Sequence, residues 1–279
     1  MLTLPVRILR DADRTAVEAV LARTPIAGAQ VAERVNAVGL AWWRLDARVF
    51  GFGTGSSIES VCWAGANLIP VGAGPEAIAA FADVLATERR SCSSIVGDAA
   101  SVLPLWDRLR DSWEPAREIR ERQPMLLADS VPQVAADPDV RLVTADQIGL
   151  LYPAAVAMYT EEVGVAPARN VGDYSYRARV AELVNARRSY AKIVDGVVVF
   201  KADVAVLTHH TAQIQGVWVA PQWRGTGLGT AGVAAVVTDV LAGRAPTVSL
   251  YVNDFNLAAN RVYQRCGFRQ VGLFATVLF

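Results

Sequence analysis

The chain has 279 residues, of which 53% are hydrophobic and 19% charged. This length is comfortable for two domains of ordinary size. Basic and acidic residues number 27 each, which argues against nucleic-acid binding, because such proteins usually carry a basic face. No apolar run approaches the ~20 residues of a membrane span. Residues 1–13 contain Arg7, Arg10, Asp11 and Asp13 and do not resemble a signal peptide. We therefore expect a soluble, cytoplasmic protein.

Cysteine usage agrees with a reducing compartment. Cys62, Cys92 and Cys266 are an odd number of cysteines at wide spacing, and no CxxC pattern is present. Such a set cannot form a disulfide framework and gives no metal-binding signature. We predict three free, buried thiols and no metal.

Patterns of strand and helix alternate in the first half of the chain. They predict a strand at 7–9, helices around Val17 and at 31–38, strands at 49–52, 58–63 and 67–71, a helix around Phe81, a strand at 93–96, a helix around Leu105, and a strand at 125–128. Two prolines and three aspartates then interrupt the apolar pattern over residues 129–139, which predicts a linker.

The second half gives clearer signals in the same order. They predict a strand at 140–143, a helix capped by Asp146, a loop at 164–172, a helix around Val180, strands at 190–194 and 197–207 joined by an Asp195-Gly196 turn, a strand at 213–219, a helix closed by Gly243, a strand at 247–252, a helix around Val262, and a final strand or pair of strands at 268–279. The order β-α-α-β-β-β-α-β-α-β occurs twice. We predict two similar α/β domains, at 1–128 and 140–279, with the linker between them.

Residues 216–230 are the most informative segment. A strand runs into a glycine-rich turn that opens a helix. Backbone N–H groups at a helix start have no partner within the helix, and the helix dipole favours an anion there. Glycines let the backbone approach a phosphate closely. The segment therefore predicts a site for a phosphorylated ligand.

Two phosphorylated ligands fit a glycine-rich loop of this kind. Residues 227–232 match the GxGxxG pattern, with Asp254 about twenty residues later, which would indicate a nucleotide-dependent oxidoreductase. That pattern normally lies in the first βα turn of a fold with several further strands. Here fewer than fifty residues follow the pattern, which disfavours a dinucleotide.

The alternative match is more specific. Residues 222–227, Gln-Trp-Arg-Gly-Thr-Gly, fit a Q/R-x-x-G-x-G/A signature, and residues 256–268 fit N-x-x-A-x-x-x-Y-x-x-x-G-F. Both signatures, in this order and separated by one strand, resemble GNAT-type N-acetyltransferases. The resemblance covers about 140–279, half of the chain. It implies a mixed, mostly antiparallel central sheet flanked by helices, and the first half resembles a degenerate domain of the same kind, as in some actinobacterial members.

The resemblance implies that acetyl-CoA lies where the sheet splays between its fourth and fifth strands. The strand Val217, Trp218 and Val219 would pair with the pantetheine arm, and a backbone N–H there would polarise the thioester carbonyl. The expected pyrophosphate cradle is formed by the N–H groups of Arg224, Gly225, Thr226, Gly227, Leu228, Gly229 and Thr230. Asn256 would hold the pantetheine, or serve only as a helix N-cap. Tyr263 would protonate the departing thiolate or at least donate a hydrogen bond to it, or be a core tyrosine.

The acceptor side of the site is less defined. Glu161 and Glu162 end the first helix of this domain, where the family often builds its acceptor site, and they are our candidates for the base. His209 and His210 lie in a predicted turn and are expected to be solvated. We predict acetyl transfer to a primary amine by direct attack in a ternary complex. The amine belongs to a small molecule or a protein, and the sequence is compatible with a homodimer. The alternative function is a non-catalytic acyl-CoA sensor.

The corresponding loop of the first half lacks the features that bind CoA. Residues 71–75, Val-Gly-Ala-Gly-Pro, have no Arg or Gln before the glycines, and Pro75 removes one backbone donor. Trp106 stands near the place of Tyr263. We predict that this half does not bind CoA productively.

Overall fold

The structure, a computed structural model, describes residues 5–54, 57–164, 167 and 171–279. The chain divides into two compact units. The first unit consists of Met1–Met125, Tyr251–Phe255 and Gln270–Phe279. The second consists of Leu126–Leu250 and Asn256–Arg269.

The elements of the first half alternate as predicted. They are β1 (Val6–Ile8), α1 (Arg14–Arg23), α2 (Ala29–Val38), α3 (Trp42–Leu45), β2 (Arg48–Thr54), β3 (Ser57–Ala64), β4 (Asn67–Val71), α4 (Pro75–Leu85), β5 (Ser94–Asp98), α5 (Ala99–Leu109) and β6 (Glu118–Ala128). Strand β6 begins seven residues earlier than the predicted strand at 125–128. Residues 118–122 are mostly charged, and none of them is fully buried. An apolar pattern could therefore not reveal this part of the strand.

The second half follows the predicted order. Its elements are β7 (Arg141–Leu142), α6 (Ile148–Val163), α7 (Val171–Asn185), β8 (Ser189–Val194), β9 (Val197–Leu207), β10 (Ala212–Val219), α8 (Leu228–Leu241), β11 (Val248–Tyr251), α9 (Leu257–Arg265) and β12 (Arg269–Leu278). Asp195 and Gly196 have φ of 50° and 75°, as the predicted hairpin turn requires. Residues 165, 166 and 168–170 of the predicted loop at 164–172 lie outside the described residues.

The cap before α6 differs from the prediction. A 3-10 turn over Ala145–Gln147 precedes the helix, and Thr144 and Gln147 form a reciprocal capping box. The Thr144 N–H donates to Gln147 Oε1 at 3.1 Å. Asp146 lies inside the turn and is not the cap, because the helical segment starts upstream of it.

Both units repeat one pattern of strand pairing. In the first, β1–β2, β2–β3 and β3–β4 pair antiparallel, and β4–β5 pair parallel. In the second, β7–β8, β8–β9 and β9–β10 pair antiparallel, and β10–β11 pair parallel. Mixed, mostly antiparallel strand pairing with flanking helices in each unit confirms the predicted fold class. The antiparallel pairing of β10 with β9 also excludes the doubly wound parallel sheet of the dinucleotide alternative.

The last strand belongs with the first unit. Strand β12 pairs antiparallel with β5, from Phe274↔Asp98 to Leu278↔Ser94. The predicted domains at 1–128 and 140–279 cut the chain at the coil between β6 and β7, whereas the division in space also separates 270–279 from the residues before them.

Helix α8 packs against β9 through a glycine. An ideal Cβ on Gly232 would lie 2.6 Å from Phe200 Cε2, and Phe200 has no exposed surface. On the same helix, a Cβ on Gly229 would make only ordinary contacts, the nearest 3.5 Å away at Val219 Cγ2. The close approach of α8 to the sheet therefore depends on Gly232.

We expect Gly232→Ala to lower the free energy of unfolding by about 1–3 kcal/mol, because a rigid buried ring must shift. Gly229→Ala on the same helix should be neutral or stabilising by up to ~1 kcal/mol, since alanine is the better helix former. Urea denaturation followed by circular dichroism measures both. Equal effects of the two substitutions would contradict this account of the packing.

The three cysteines are free and buried, as predicted. Burial raises the pKa of the Cys266 thiol to about 11. The Cys266 Sγ lies 3.4 Å from the Thr230 carbonyl oxygen, so this thiol packs α9 against the start of α8.

Candidate functional site

The glycine-rich turn between β10 and α8 has the backbone conformation that only glycine adopts readily. Gly225 and Gly227 have φ of 78° and 92°, and Gly227 is the N-cap of α8. No described atom lies within 4 Å of an ideal Cβ at either residue. Glycine is therefore required here by the left-handed conformation, and the space beside the turn is open.

Five consecutive N–H groups of this turn have no partner among the described residues, those of residues 225–229. The N–H groups immediately before and after these five do have acceptors in the protein. The Arg224 N–H donates to the Pro221 carbonyl at 3.2 Å, and the Thr230 N–H to that of Gly227 at 3.1 Å. The predicted cradle of seven N–H groups is thus reduced to five. They lie at the positive end of the α8 dipole, which favours an anion.

Among the described residues, the edge of β10 beside this turn is unpaired over most of its length. The register of β10 with β11 comprises Ala212↔Val248 and Gln213↔Ser249. With β9, in contrast, β10 stays paired as far as Val219↔Phe200. Beyond Gln213 the fourth and fifth strands of the second unit therefore separate, as the family resemblance implied.

N–H groups alternate between the two edges of a strand. The Ala220 N–H donates to the Val199 carbonyl of β9 at 2.9 Å. The N–H of the preceding Val219 consequently points to the opposite, unpaired edge. An extended ligand lying along this edge can pair with the main chain as an added strand would.

The Arg224 side chain is held by a carboxylate from α6. Its guanidinium contacts Glu161 Oε1 and Oε2 at 3.0 and 2.7 Å, and its Nε donates to the Val219 carbonyl at 3.0 Å. The Trp218 indole N–H donates to the same carboxylate at 3.1 Å. Glu161 therefore compensates the charge of Arg224, and its role as a base stays a prediction.

We expect Glu161→Gln to tighten acyl-CoA binding about 3–10-fold at low salt, because it leaves the positive charge of Arg224 uncompensated beside the anion site. The pair is half exposed, with side-chain exposures of 49% and 48%, so the free energy of unfolding should change by less than about 1 kcal/mol. Calorimetric titration at two salt concentrations measures the effect. A fall in kcat by two orders of magnitude would instead assign Glu161 the role of base.

Tyr263 and Glu162 come together in the second unit. The Tyr263 side chain on α9 is only 7% exposed, and its hydroxyl donates to no described residue. Burial raises the pKa of Tyr263 above its ordinary value, and the nearby charge of Glu162 raises it further. Glu162 itself is exposed on α6. The arrangement supplies a protonated phenol and a solvent-accessible carboxylate to one site.

Asn256 occupies the helix-capping position that was one of its two predicted roles. Its side-chain oxygen accepts a hydrogen bond from the Ala259 N–H at 3.1 Å, and it is the N-cap of α9. The other predicted role, contact with pantetheine, would use the side-chain NH2 group of Asn256. His209 and His210 are exposed beside each other in a turn.

Comparison with known proteins identifies this arrangement. Residues 153–268 match the model of the Acetyltransferase (GNAT) family. The C-terminal part of the chain is a GNAT acetyltransferase domain. The match of these residues to the family supports acyl transfer from an acyl-CoA donor. Residues 47–151 match a second model, described as Domain of unknown function (DUF4081).

Solved structures similar to the whole chain show the same fold. A GCN5-related N-acetyltransferase from Sphaerobacter thermophilus is 16% identical, with 99% of this chain and 97% of that chain covered and a TM-score of 0.60. A GNAT acetyltransferase from Colwellia psychrerythraea is 13% identical, with coverage of 98% and 99% and a TM-score of 0.59. A tandem GNAT protein from the clavulanic acid biosynthesis pathway is 14% identical, with 98% of both chains covered and a TM-score of 0.51. No curated protein matches the sequence significantly.

The loop of the first unit that corresponds to the GNAT phosphate loop has one N–H donor fewer and a carbonyl group bonded within the unit. Pro75 is the first residue of α4 and has no N–H. The Ser101 hydroxyl donates to the Ala73 carbonyl at 2.9 Å. Trp106 packs edge-on against Phe279, with ring centroids 5.5 Å apart, as part of the core. These contacts favour the prediction that this unit does not bind CoA.

Two residues on β9, the strand beside β10, were missed in the sequence. Lys201 and Asp203 on β9 form a buried ion pair that contacts Gly216 of β10. The signal was present, because a lysine and an aspartate interrupt an apolar strand, and Lys201 is one of only two lysines in the chain.

No described helix has the length and apolarity of a membrane span, and no described cluster of His, Cys, Asp and Glu is suited to a metal.

Proposed function

We propose that the GNAT domain transfers an acetyl group from acetyl-CoA to a primary amine by direct attack in a ternary complex. The observation that carries this proposal is the conjunction of five unpartnered N–H groups at the start of α8 with the unpaired edge of β10. The first feature suits a pyrophosphate. The second suits a pantetheine arm with amide groups along its length. Acyl-CoA has both chemical parts in one molecule.

The chemistry needs stabilisation of the negative charge that develops on the thioester oxygen. Backbone N–H groups on the open edge of β10, at Val217 and Val219, are suited to donate to that oxygen. Attack by the amine forms the new C–N bond, and collapse of the tetrahedral species breaks the C–S bond. The Tyr263 hydroxyl, whose raised pKa keeps it protonated at neutral pH, donates a hydrogen bond to the departing thiolate or transfers its proton to it. In the second case the tyrosinate recovers the proton that the amine releases.

The amine must lose a proton during the attack. Glu162 is exposed at the end of α6 and is our candidate to accept it, directly or through a water. Glu161, which pairs with Arg224, is assigned to holding the donor loop instead. The acceptor is a small-molecule or protein amine in this proposal.

Calorimetric titration with acetyl-CoA, CoA and NAD is the first test, followed by release of free thiol in the presence of a panel of amines. Binding of acetyl-CoA with amine-dependent thiol release supports the proposal. Binding without thiol release from any amine points to the non-catalytic sensor. Absence of acetyl-CoA binding contradicts the proposal, and titration with longer acyl-CoAs then tests whether the donor carries another acyl group.

A further inference from the structure

A buried ion pair on β9 lies beside β10, the strand that the proposed function places along the acyl-CoA. The Lys201 side chain is 1% exposed, and its Nζ lies 2.6 Å from Asp203 Oδ2. The other carboxylate oxygen, Asp203 Oδ1, is buried without a hydrogen-bond partner among the described residues. Burying two charges costs free energy that such incomplete satisfaction does not fully offset. Stability alone is therefore a poor explanation for this pair.

The second contact of the ammonium group is with the backbone of β10. Lys201 Nζ donates to the Gly216 carbonyl oxygen at 2.9 Å. The register between β10 and β9 shifts between Gln215 and Trp218, so Gly216 lies in a β-bulge, and its φ is 61°. An ideal Cβ there would lie 2.9 Å from Lys201 Nζ and 3.2 Å from Asp203 Oδ2. Glycine thus permits the ion pair to reach the main chain.

The direction of this carbonyl determines the direction of the next N–H group. The Gly216 oxygen and the Val217 N–H belong to one peptide group, and no described peptide bond is cis. In a planar trans peptide the C=O and N–H point in opposite directions. The Gly216 oxygen lies 2.9 Å from Lys201 Nζ, so the Val217 N–H of the same peptide group is directed away from that ammonium group. Alternation of N–H groups from Val219, two residues further along β10, puts the Val217 N–H at the edge that does not pair with β11 beyond Gln213.

A positive charge at the carbonyl end also strengthens the donor at the other end. Hydrogen bonds from charged donors are stronger than neutral ones, and hydrogen bonds in a chain polarise one another. A peptide group whose oxygen accepts from an ammonium has a more positive N–H. That N–H is one of the two that the proposed mechanism directs at the thioester oxygen.

We propose that Lys201, held by Asp203, is a positioning residue that orients and polarises the Gly216–Val217 peptide group for the thioester carbonyl of the acyl donor. The proposal rests on the proposed function. It predicts an effect on the carbonyl of bound acetyl-CoA, and on kcat, with little effect on binding of the CoA moiety.

Infrared difference spectroscopy of acetyl-CoA labelled with 13C at the thioester carbonyl tests this without knowledge of the acceptor. We expect the native protein to lower the carbonyl stretching frequency. The double variant Lys201→Met, Asp203→Leu replaces the pair with apolar side chains and avoids an unpaired buried charge. It should lose most of that frequency shift and, with an acceptor from the amine panel, about tenfold in kcat. The Kd for CoA should stay within about twofold.

Lys192→Met is the matched control. Lys192 is the other lysine of the chain, and it pairs with Asp137 at 2.8 Å, away from the bulge. Its variant should keep the native frequency shift. The double variant Lys201→Gln, Asp203→Asn is a second variant, which keeps polar side chains but removes both buried charges, and it should also lose most of the shift.

The outcomes separate the two proposals. If the native protein lowers the frequency and Lys201→Met, Asp203→Leu does so equally, the role of Lys201 is overturned and acetyl transfer stands. If Lys201→Gln, Asp203→Asn keeps the native shift, the charge of Lys201 does not polarise the peptide group, and the role of Lys201 is again overturned. If the native protein binds no acetyl-CoA, both proposals fail together.

Discussion

Gly227→Glu should weaken acetyl-CoA binding by about 100-fold or more, which corresponds to roughly 2.7 kcal/mol. The substitution puts a carboxylate beside the five N–H groups that would receive the pyrophosphate, so like charges repel. It also puts a side chain on a residue with φ of 92°, which costs about 1–2 kcal/mol of backbone conformational energy. Calorimetric titration with acetyl-CoA measures the loss.

Gly196→Glu controls for both the added charge and the backbone conformation. Gly196 lies in the turn between β8 and β9 with φ of 75°, and no described atom lies within 4 Å of its ideal Cβ. This variant should lose a comparable amount of stability in urea but keep native affinity for acetyl-CoA. Equal loss of affinity in both variants would show that the effect is general destabilisation, and the anion site would then not lie at this turn.

Tyr263→Phe should lower kcat by about 100-fold, with the Kd for acetyl-CoA unchanged. General acid catalysis contributes ~10²–10⁴-fold, and the removed hydroxyl has no hydrogen-bond partner among the described residues, so its loss leaves the fold intact. Thiol release under saturating acetyl-CoA measures kcat, and titration measures Kd.

Tyr190→Phe is the control for removal of a buried tyrosine hydroxyl. The Tyr190 hydroxyl donates to Asp239 at 2.5 Å and accepts from Arg244 at 2.6 Å. Its removal should cost about 1–3 kcal/mol of stability while kcat stays native. Unchanged kcat in Tyr263→Phe would make Tyr263 a core tyrosine, the alternative that the sequence left open.

The acid role also sets the alkaline limit of the reaction. Burial raises the pKa of Tyr263, so its protonated, active form persists to higher pH than that of an ordinary tyrosine, whose pKa is ~10. The rate should therefore not fall for want of this proton below about pH 10. A native alkaline midpoint near 9 that disappears in Tyr263→Phe would contradict the direction of the shift.

Local sequence was sufficient wherever neighbouring residues decide the conformation. Gly225 and Gly227 signalled the left-handed turn, and Asp195-Gly196 signalled the hairpin, because both depend on φ angles that few residues adopt. The order of strands and helices followed from apolar periodicity. Strand β6 began earlier than predicted because its charged side chains hide that periodicity, and the cap before α6 lay at Thr144 because a 3-10 turn precedes the helix.

The sequence by itself determined the tandem α/β architecture, the GNAT signatures and the glycine turn with its free N–H groups. Only the tertiary structure decided which distant groups meet. It paired β12 with β5, Glu161 with Arg224, and Lys201 with the Gly216 carbonyl. Glu161 and Arg224 are 63 residues apart, and either could have stayed solvated at little cost in free energy. Such pairings depend on how the whole chain packs, whereas turn geometry depends on a few adjacent residues.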